Sequence, residues 1–328
     1  MNNRLAKLMI SAALICPPVA ACAQALDLTP YPGRILSDPN FLPLTGQFYG
    51  TTAYAHGWTD GNSANYAGVE MSSFHINTNT IDQFLAYGIT DDITIDASLD
   101  DSPINYRETD YTSGRSATLN SSGISDPTFG ATWRLFDQNV YPVDLDMLGS
   151  YTPNWVGAHT ATVDEDGTIA NGGQSGTVGA ALGYDTRSFG IRGAFDADIL
   201  GDSSTYNPAN GDTLETGSHT NYILSLDTQT RLTDLFSVNA GLAHTFTSDA
   251  NVVNLTNGAP RYTEPGDNTT LQLALNYNFI PNQFVISATY GHEFYDNGRT
   301  LYDDPPEDTE TRDKNSNIVG VKLSYATP

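Results

Sequence analysis

Between Leu271 and Phe294 the chain alternates with a period of two. Leu271, Leu273, Leu275, Tyr277 and Phe279 are apolar or aromatic, and Gln272, Ala274, Asn276 and Asn278 stand between them. After Pro281-Asn282 the pattern resumes in Phe284, Ile286, Ala288, Tyr290, His292 and Phe294, with Ser287, Thr289, Gly291 and Glu293 on the other face. Successive side chains of a strand point to opposite sides, so this is a hairpin with one greasy and one polar face. Each strand runs to about ten residues, matching the ~9–11 that a tilted strand needs to cross a bilayer. Strands of soluble sandwiches are expected to be shorter, about 5–6 residues. The hairpin therefore predicts an all-β fold, a transmembrane antiparallel β-barrel of which it forms one sixth.

Twelve strands are expected, near 44–57, 66–90, 92–101, 123–136, 141–153, 174–186, 188–200, 217–233, 235–248, 268–280, 283–296 and 316–326. Five connections are tight: Thr90 to Asp92, Asp137 to Tyr141, Asp185 to Arg187, Thr233-Asp234 and Ile280 to Asn282. Between them lie six longer polar loops, near 58–65, 102–122, 154–173, 201–216, 249–267 and 297–315. Short periplasmic turns alternating with long extracellular loops are the habit of outer-membrane barrels. In 66–90 the alternation slips near Thr80-Ile81, which predicts either a bulge or a strand projecting beyond the membrane. Aromatic girdles are expected at both interfaces. Tyr87, Phe136, Tyr141, Phe189, Phe236, Phe279, Phe284 and Tyr325 would form the lower one; Tyr54, Trp58, Tyr151, Trp155, Phe246, Phe294 and Tyr295 the upper.

Residues 1–25 read as a secretory signal peptide: Arg4 and Lys7, a short apolar run from Leu8 to Cys16, then small residues up to Ala25. Cleavage is expected after Ala25, with Ala23 as the alternative. Val19-Ala20-Ala21-Cys22 also resembles a lipobox, which would put a lipid on Cys22. Both cysteines, Cys16 and Cys22, lie in this leader, so the mature chain carries no thiol chemistry. Residues 26–43 are irregular and proline-rich and would sit in the periplasm or plug the lumen; residues 44–328 make the barrel. Export, no thiols, no long apolar run and repeated alternation together imply the outer membrane.

Fourteen basic residues less Arg4 and Lys7, against 38 acidic ones, give 12 − 38 = −26 for the mature chain. Such an acidic chain excludes nucleic acid as a partner, since phosphates want Lys and Arg. Alternation turns Asp96, Asp100, Asp144, Asp146, Asp196, Asp198, Asp227 and Glu293 inward, together with Arg134, Arg192, Arg231 and Lys322. An Arg or Lys facing lipid near the midplane would cost roughly 2–4 kcal/mol, which supports that placement. Eight acids against four bases leave either a polar network holding a narrow pore or a cation-preferring conduit. Twelve strands fall between about eight, which side chains fill, and the 16–18 that leave an aqueous channel.

Tyr87-Gly88-Ile89-Thr90-Asp91-Asp92-Ile93-Thr94-Ile95 and Gly123-Ile124-Ser125-Asp126-Pro127-Thr128-Phe129-Gly130 carry two short motifs in order. They resemble, respectively, the Gly-apolar-Thr-Asp hairpin and the following Gly-x-x-Asp strand of the outer-membrane family named for the meta-pathway of phenol degradation. The resemblance extends loosely over residues 44–328. It implies a barrel taking part in uptake of aromatic or other small organic molecules. The matching positions are Gly88, Thr90, Asp91, Gly123 and Asp126; read without the family, Asp91 and Asp126 are turn and strand-end residues that bond nearby backbone N–H groups. Gly320, Leu323 and Tyr325 resemble the C-terminal signal read by the barrel-assembly machinery, although Ala326-Thr327-Pro328 replace the usual terminal Phe.

No metal or cofactor is expected. The six histidines show neither HxH nor HExxH spacing, and no G-x-S-x-G elbow is present. An EF-hand ending its acidic half at Asp166-Gly167 would place Gly173 where a bidentate Glu belongs, so it fails. The sequence thus favours passive passage of a small organic solute, without catalysis, through a barrel whose partners are outer-membrane lipids and the assembly machinery. Two alternatives stay open: a closed structural or surface-interaction barrel with acidic extracellular loops, and an enzyme of envelope lipid built from Ser, His and Asn on different strands.

Overall fold

The computed structural model describes residues 35–208, 211–280, 282–302 and 308–328. The signal peptide with its cleavage sites and Cys22, Pro281, and the acidic positions Asp303, Asp304 and Glu307 lie outside the described residues.

Among the described residues twelve long strands pair in sequence order and close into a ring. They are β1 (Phe48–Asn65), β2 (Glu70–Gly88), β3 (Ile93–Asp101), β4 (Thr128–Phe136), β5 (Asp144–Thr152) and β6 (Gly173–Asp185). The others are β7 (Phe189–Asn207), β8 (His219–Arg231), β9 (Phe236–Phe246), β10 (Asn268–Ile280), β11 (Phe284–Tyr295) and β12 (Thr309–Ala326). Every neighbouring pair is antiparallel, and β1 closes the ring on β12 from Tyr49↔Ala326 to Asn65↔Thr309. Closure leaves no bare strand edge in the apolar zone, which hydrocarbon demands because it cannot hydrogen-bond a free backbone group. The expected barrel of about twelve strands is what the chain forms.

The tight turns repeat one piece of local chemistry. Thr90, Thr186 and Thr233 each use Oγ1 to accept the amide N–H three residues on, from Ile93 (2.9 Å), Phe189 (3.0 Å) and Phe236 (3.0 Å). Asn282 takes φ +61°, the left-handed conformation that Asn tolerates, between β10 and β11. Rings pair at this lower end: Phe48 with Tyr87 (4.7 Å), Phe136 with Tyr141 (4.7 Å) and Phe236 with Tyr277 (5.0 Å).

The upper half departs from the sequence reading. Residues 58–65, expected to be a loop, continue β1, and the chain reverses only at 66–69. The β1–β2 register runs unbroken past Thr80 and Ile81 and shifts only at Ser63/Ala64. Of the two expectations for that stretch, the projecting strand is correct and the bulge is not. The reason is physical: above the membrane both faces are wet, so a strand there loses its alternation. The same applies to β12, which starts at Thr309 rather than 316 and carries an irregularity at Asp313 (φ +51°). Short strands inside the long loops, such as Ile104–Asp110 on β2 and Asp212–Thr216 on β7, extend the wall upward.

Candidate functional site: the lumen and the segment inside it

Residues 35–43 lie inside the lower barrel and divide the lumen in two. A turn folds the segment, with the Asp38 amide donating to Ile35 O (2.9 Å) and the Phe41 amide to Asp38 O (3.1 Å). Asp38 Oδ1 accepts the Asn40 amide (3.0 Å), a local Asx bond that holds Asn40 pointing into the wall. Asn40 is fully buried, and its Nδ2 donates to Asp185 Oδ2 and Ile191 O (both 3.1 Å). A Cβ at Gly183 would stand 2.0 Å from Asn40 Oδ1, so glycine on β6 makes the seat.

Charges close this lower region. Arg134 of β4 grips Asp146 of β5 with two bonds, Nε to Oδ1 (2.8 Å) and Nη2 to Oδ2 (3.2 Å), and also donates to Asn40 O (2.8 Å). Arg192 of β7 reaches the same Asp146 Oδ2 (2.5 Å), and Arg231 of β8 pairs with Asp38 Oδ2 (2.6 Å). Asp144 accepts the Gln138 amide (2.7 Å) and lies 3.9 Å from Arg134 Nε. Around Ser37, Gln229 Nε2 donates to its Oγ (2.8 Å) and Asn239 Nδ2 to its carbonyl (2.7 Å). The apolar side of the segment is small: Leu36 packs with Val285 and Ala326, and Phe41 lies on Tyr49 at 5.2 Å. Most of the fastening is polar.

Two of the motif positions meet the same segment. Gly88 sits under Pro43 and Leu44, where a Cβ would come within 2.1 Å of Leu44 O. Asp91 Oδ1 accepts both the amide (2.9 Å) and the hydroxyl (2.7 Å) of Thr45, and these bonds hold its carboxyl below the usual carboxylate range. Asp91 thus reaches beyond its own turn, while Thr90 supplies the turn bond. Asp126, buried, accepts the amides of Trp155 (2.7 Å) and Val156 (2.8 Å) and so fixes the loop after β5. Gly123 takes φ +114°, which suits glycine. At the C-terminal signal, Tyr325 covers Gly50, Gly320 packs against the Tyr54 backbone, and Leu323 pairs with Thr52.

Above the segment the lumen opens into a cavity of about 590 Å³. Leu36, Tyr49, Ala274 and Ile318 give it apolar surface, and Asp82, Arg192, Asp227 and Lys322 give it charge. Lys322 and Asp82 flank Ala53 across β1, and Lys322 makes no hydrogen bond or ion pair within the described residues. Asp100 stands opposite Asp82 on the next strand. Asp96, Asp196 and Asp227 each face a glycine on the neighbouring strand, Gly130, Gly179 and Gly241. With no side chain on that neighbour, these carboxylates lie close over the wall there, while Asp227 faces Arg192 on its other side. Asp198 accepts the Thr177 hydroxyl (3.1 Å). Near the mouth Glu293 accepts the Tyr295 hydroxyl, and the Lys314 ammonium lies 3.9 Å over the Tyr295 ring. Tyr295 therefore shares the face of Glu293 and does not join an outward girdle.

No protein-family model matches the sequence, and no curated protein does. Solved structures do. An outer-membrane channel from Pseudomonas putida F1 aligns over 88% of this chain and 99% of its own, with a TM-score of 0.56 at 15% identity. The transport unit of the autotransporter AIDA-I from Escherichia coli aligns over 88% and 92%, with a TM-score of 0.51 at 12% identity. The chain has the fold of an outer-membrane β-barrel. At those identities the likeness is one of fold. Sequence reasoning singled out neither Asn40, Asp38 and Asp185 nor the Gln229, Asn239 and Ser37 group, because their partners lie up to 202 residues apart.

Proposed function

We propose that the barrel passes small organic molecules, aromatic ones among them, down a concentration gradient, without catalysis or cofactor. The observation that carries this is the cavity of about 590 Å³ above residues 35–43, whose wall mixes apolar and charged groups. Pockets of a few hundred Å3 with apolar walls and a few placed polar groups suit molecules of that class. The aromatic part of the proposal, and membership of the phenol meta-pathway family, rest on the motifs around Gly88–Asp91 and Gly123–Asp126. Passage requires residues 35–43 to yield or to leave a narrow way around them. A second reading has its own support: Arg134, Asp146 and Asn40, all buried, close the lower lumen as a structural barrel would.

Liposomes carrying the purified barrel separate the two. Uptake of phenol, neutral at pH 7, well above empty liposomes is expected, with a small cation-selective conductance in planar bilayers, set by the acidic lumen and read from the reversal potential in a KCl gradient. No uptake and no conductance would favour the structural reading. Phospholipid turnover by the same material would favour an enzyme of envelope lipid.

A further inference from the structure

One three-residue arrangement occurs twice on the outside of the wall. On β1–β2 the Tyr54 hydroxyl (3.0 Å) and the His56 Nδ1–H (3.1 Å) both donate to Asn79 Oδ1. On β11–β12 the Tyr290 hydroxyl (3.0 Å) and the His292 Nδ1–H (2.8 Å) both donate to Asn317 Oδ1. The register is the same in both, with His56 directly opposite Asn79 and His292 directly opposite Asn317. An aromatic ring two residues on lies against each imidazole: Trp58 at 5.9 Å and Phe294 at 4.3 Å. On β9–β10 a partial copy has His244 on Thr269 and Phe246, with Leu242 where the tyrosine would be. These residues share parity with the exposed Phe48, Phe246, Ile286 and Phe294, so they face away from the lumen.

The two copies form one patch. Asn317 pairs across the β12–β1 seam with Trp58, so the band runs His292, Asn317, Trp58 and His56, Asn79 over four consecutive strands. At 4.7–4.9 Å between strands that is about 14 Å wide. Its height is also fixed. Each histidine stands eight positions beyond the ring that opens its strand, Phe48 to His56 and Phe284 to His292. Eight residues rise about 26 Å along a strand, or about 20 Å along the membrane normal at ~40° of tilt, near the top of a ~25 Å apolar band. The patch therefore meets the headgroups of the outer leaflet.

Its chemistry narrows the partner. With Nδ1 donating, each imidazole keeps an acceptor lone pair at Nε2; each carboxamide, its oxygen doubly occupied, keeps two Nδ2 donors; each phenol keeps acceptor capacity. Among the described residues none of these groups has another hydrogen-bond partner. No Lys or Arg belongs to the band. Phosphate, which only accepts, would leave the acceptors unmet and find no cation. Sugar hydroxyls both donate and accept, and the rings offer apolar faces beside them. We propose that the outward face of β11, β12, β1 and β2 binds the sugar headgroup of an outer-leaflet glycolipid.

The full-length barrel would be placed in phosphatidylethanolamine nanodiscs containing digalactosyl diacylglycerol or, separately, phosphatidylglycerol. Lipids retained after mild detergent release are then counted by native mass spectrometry. The wild-type barrel is expected to hold the glycolipid about tenfold over phosphatidylglycerol, and Asn79→Leu with Asn317→Leu to erase that preference. Tyr54→Phe with Tyr290→Phe, which removes only hydroxyls, is expected to lower it about threefold and decides the matter if the leucine pair does not fold. Equal retention of the two lipids by the wild type, or glycolipid retention unchanged in a folded variant pair, would overturn the proposal.

Discussion

The two halves of the lumen use the same residue types to opposite ends. Below, Arg134, Arg192 and Arg231 are each committed to a carboxylate, and Asp146 and Asn40 are fully enclosed. Above, the carboxylates of Asp96, Asp196 and Asp227 face glycines, and Lys322 lines the cavity without a hydrogen bond or ion pair among the described residues. What separates them is the segment 35–43, which supplies the Asn40 and Ser37 carbonyls and the Asp38 carboxylate as extra partners. In this barrel wall side chains and the strap close the lower lumen together. Charge in the lumen thus has no single meaning. Where a strap supplies the missing bonds it seals, and where none does it lines a passage.

The largest test of that contrast is to remove one cation from each half. Arg134→Ala strips Asp146 of its bidentate partner and Asn40 O of its donor, all buried. Breaking a buried pair costs up to about 3–5 kcal/mol, and the loss should fall toward the lower figure because Arg192 still reaches Asp146 Oδ2. Urea unfolding in vesicles should show that loss, and conductance should rise as the segment loosens. Lys322→Met in the upper cavity breaks no hydrogen bond of the described residues, and the same measurement should move by less than about 0.5 kcal/mol. Equal effects at the two sites would end the distinction. Next in size comes Gly183→Ala. The new methyl would meet Asn40 Oδ1 at 2.0 Å, so Asn40 must withdraw from Asp185 and Ile191. Overpacking of this kind costs about 1–3 kcal/mol. Conductance should rise here too, without loss of the barrel's heat-modifiable mobility on a gel.

How much of this was legible follows from the distance over which each feature is decided. Alternation is written in neighbouring residues, so Leu271 to Phe294 already specify a hairpin and its greasy side, and the strand order follows from turns such as Thr233-Asp234. Where hydrocarbon no longer sorts the two faces, that signal fades: Trp58 to Asn65 read as a loop and fold as strand. Asp91 shows a different limit. Its sequence context offers turn chemistry, and Thr90 performs it, whereas Asp91's own partner, Thr45, lies 46 positions away. The paired Tyr-x-His tracts were visible as letters, but the asparagines that join them come from the facing strands. Pairing across the barrel has to be built before such partners appear.

The smallest expected effect is at the exposed rim of the sealed half. Asp91 accepts two bonds from Thr45, which draw its carboxyl below the ordinary carboxylate range. A carboxylate so lowered contributes most above its ordinary value, and the contribution fades as pH falls through the lowered one. The clasp at Thr45 is therefore intact at neutral pH and released only in strong acid. Asp91→Asn keeps one acceptor but loses the charge, and should open the clasp part-way at every pH. Amide protection factors at Thr45 and Gly46, corrected for the intrinsic pH dependence of exchange, check this: high in the wild type down to mildly acidic pH, lower and independent of pH in the variant. Because Asn40, Ser37 and Asp38 stay pinned, exchange at Asn40 should not change. If it quickens together with Thr45, residues 35–45 release as one piece, and the rim, not the buried charges, sets the resistance of the lower lumen.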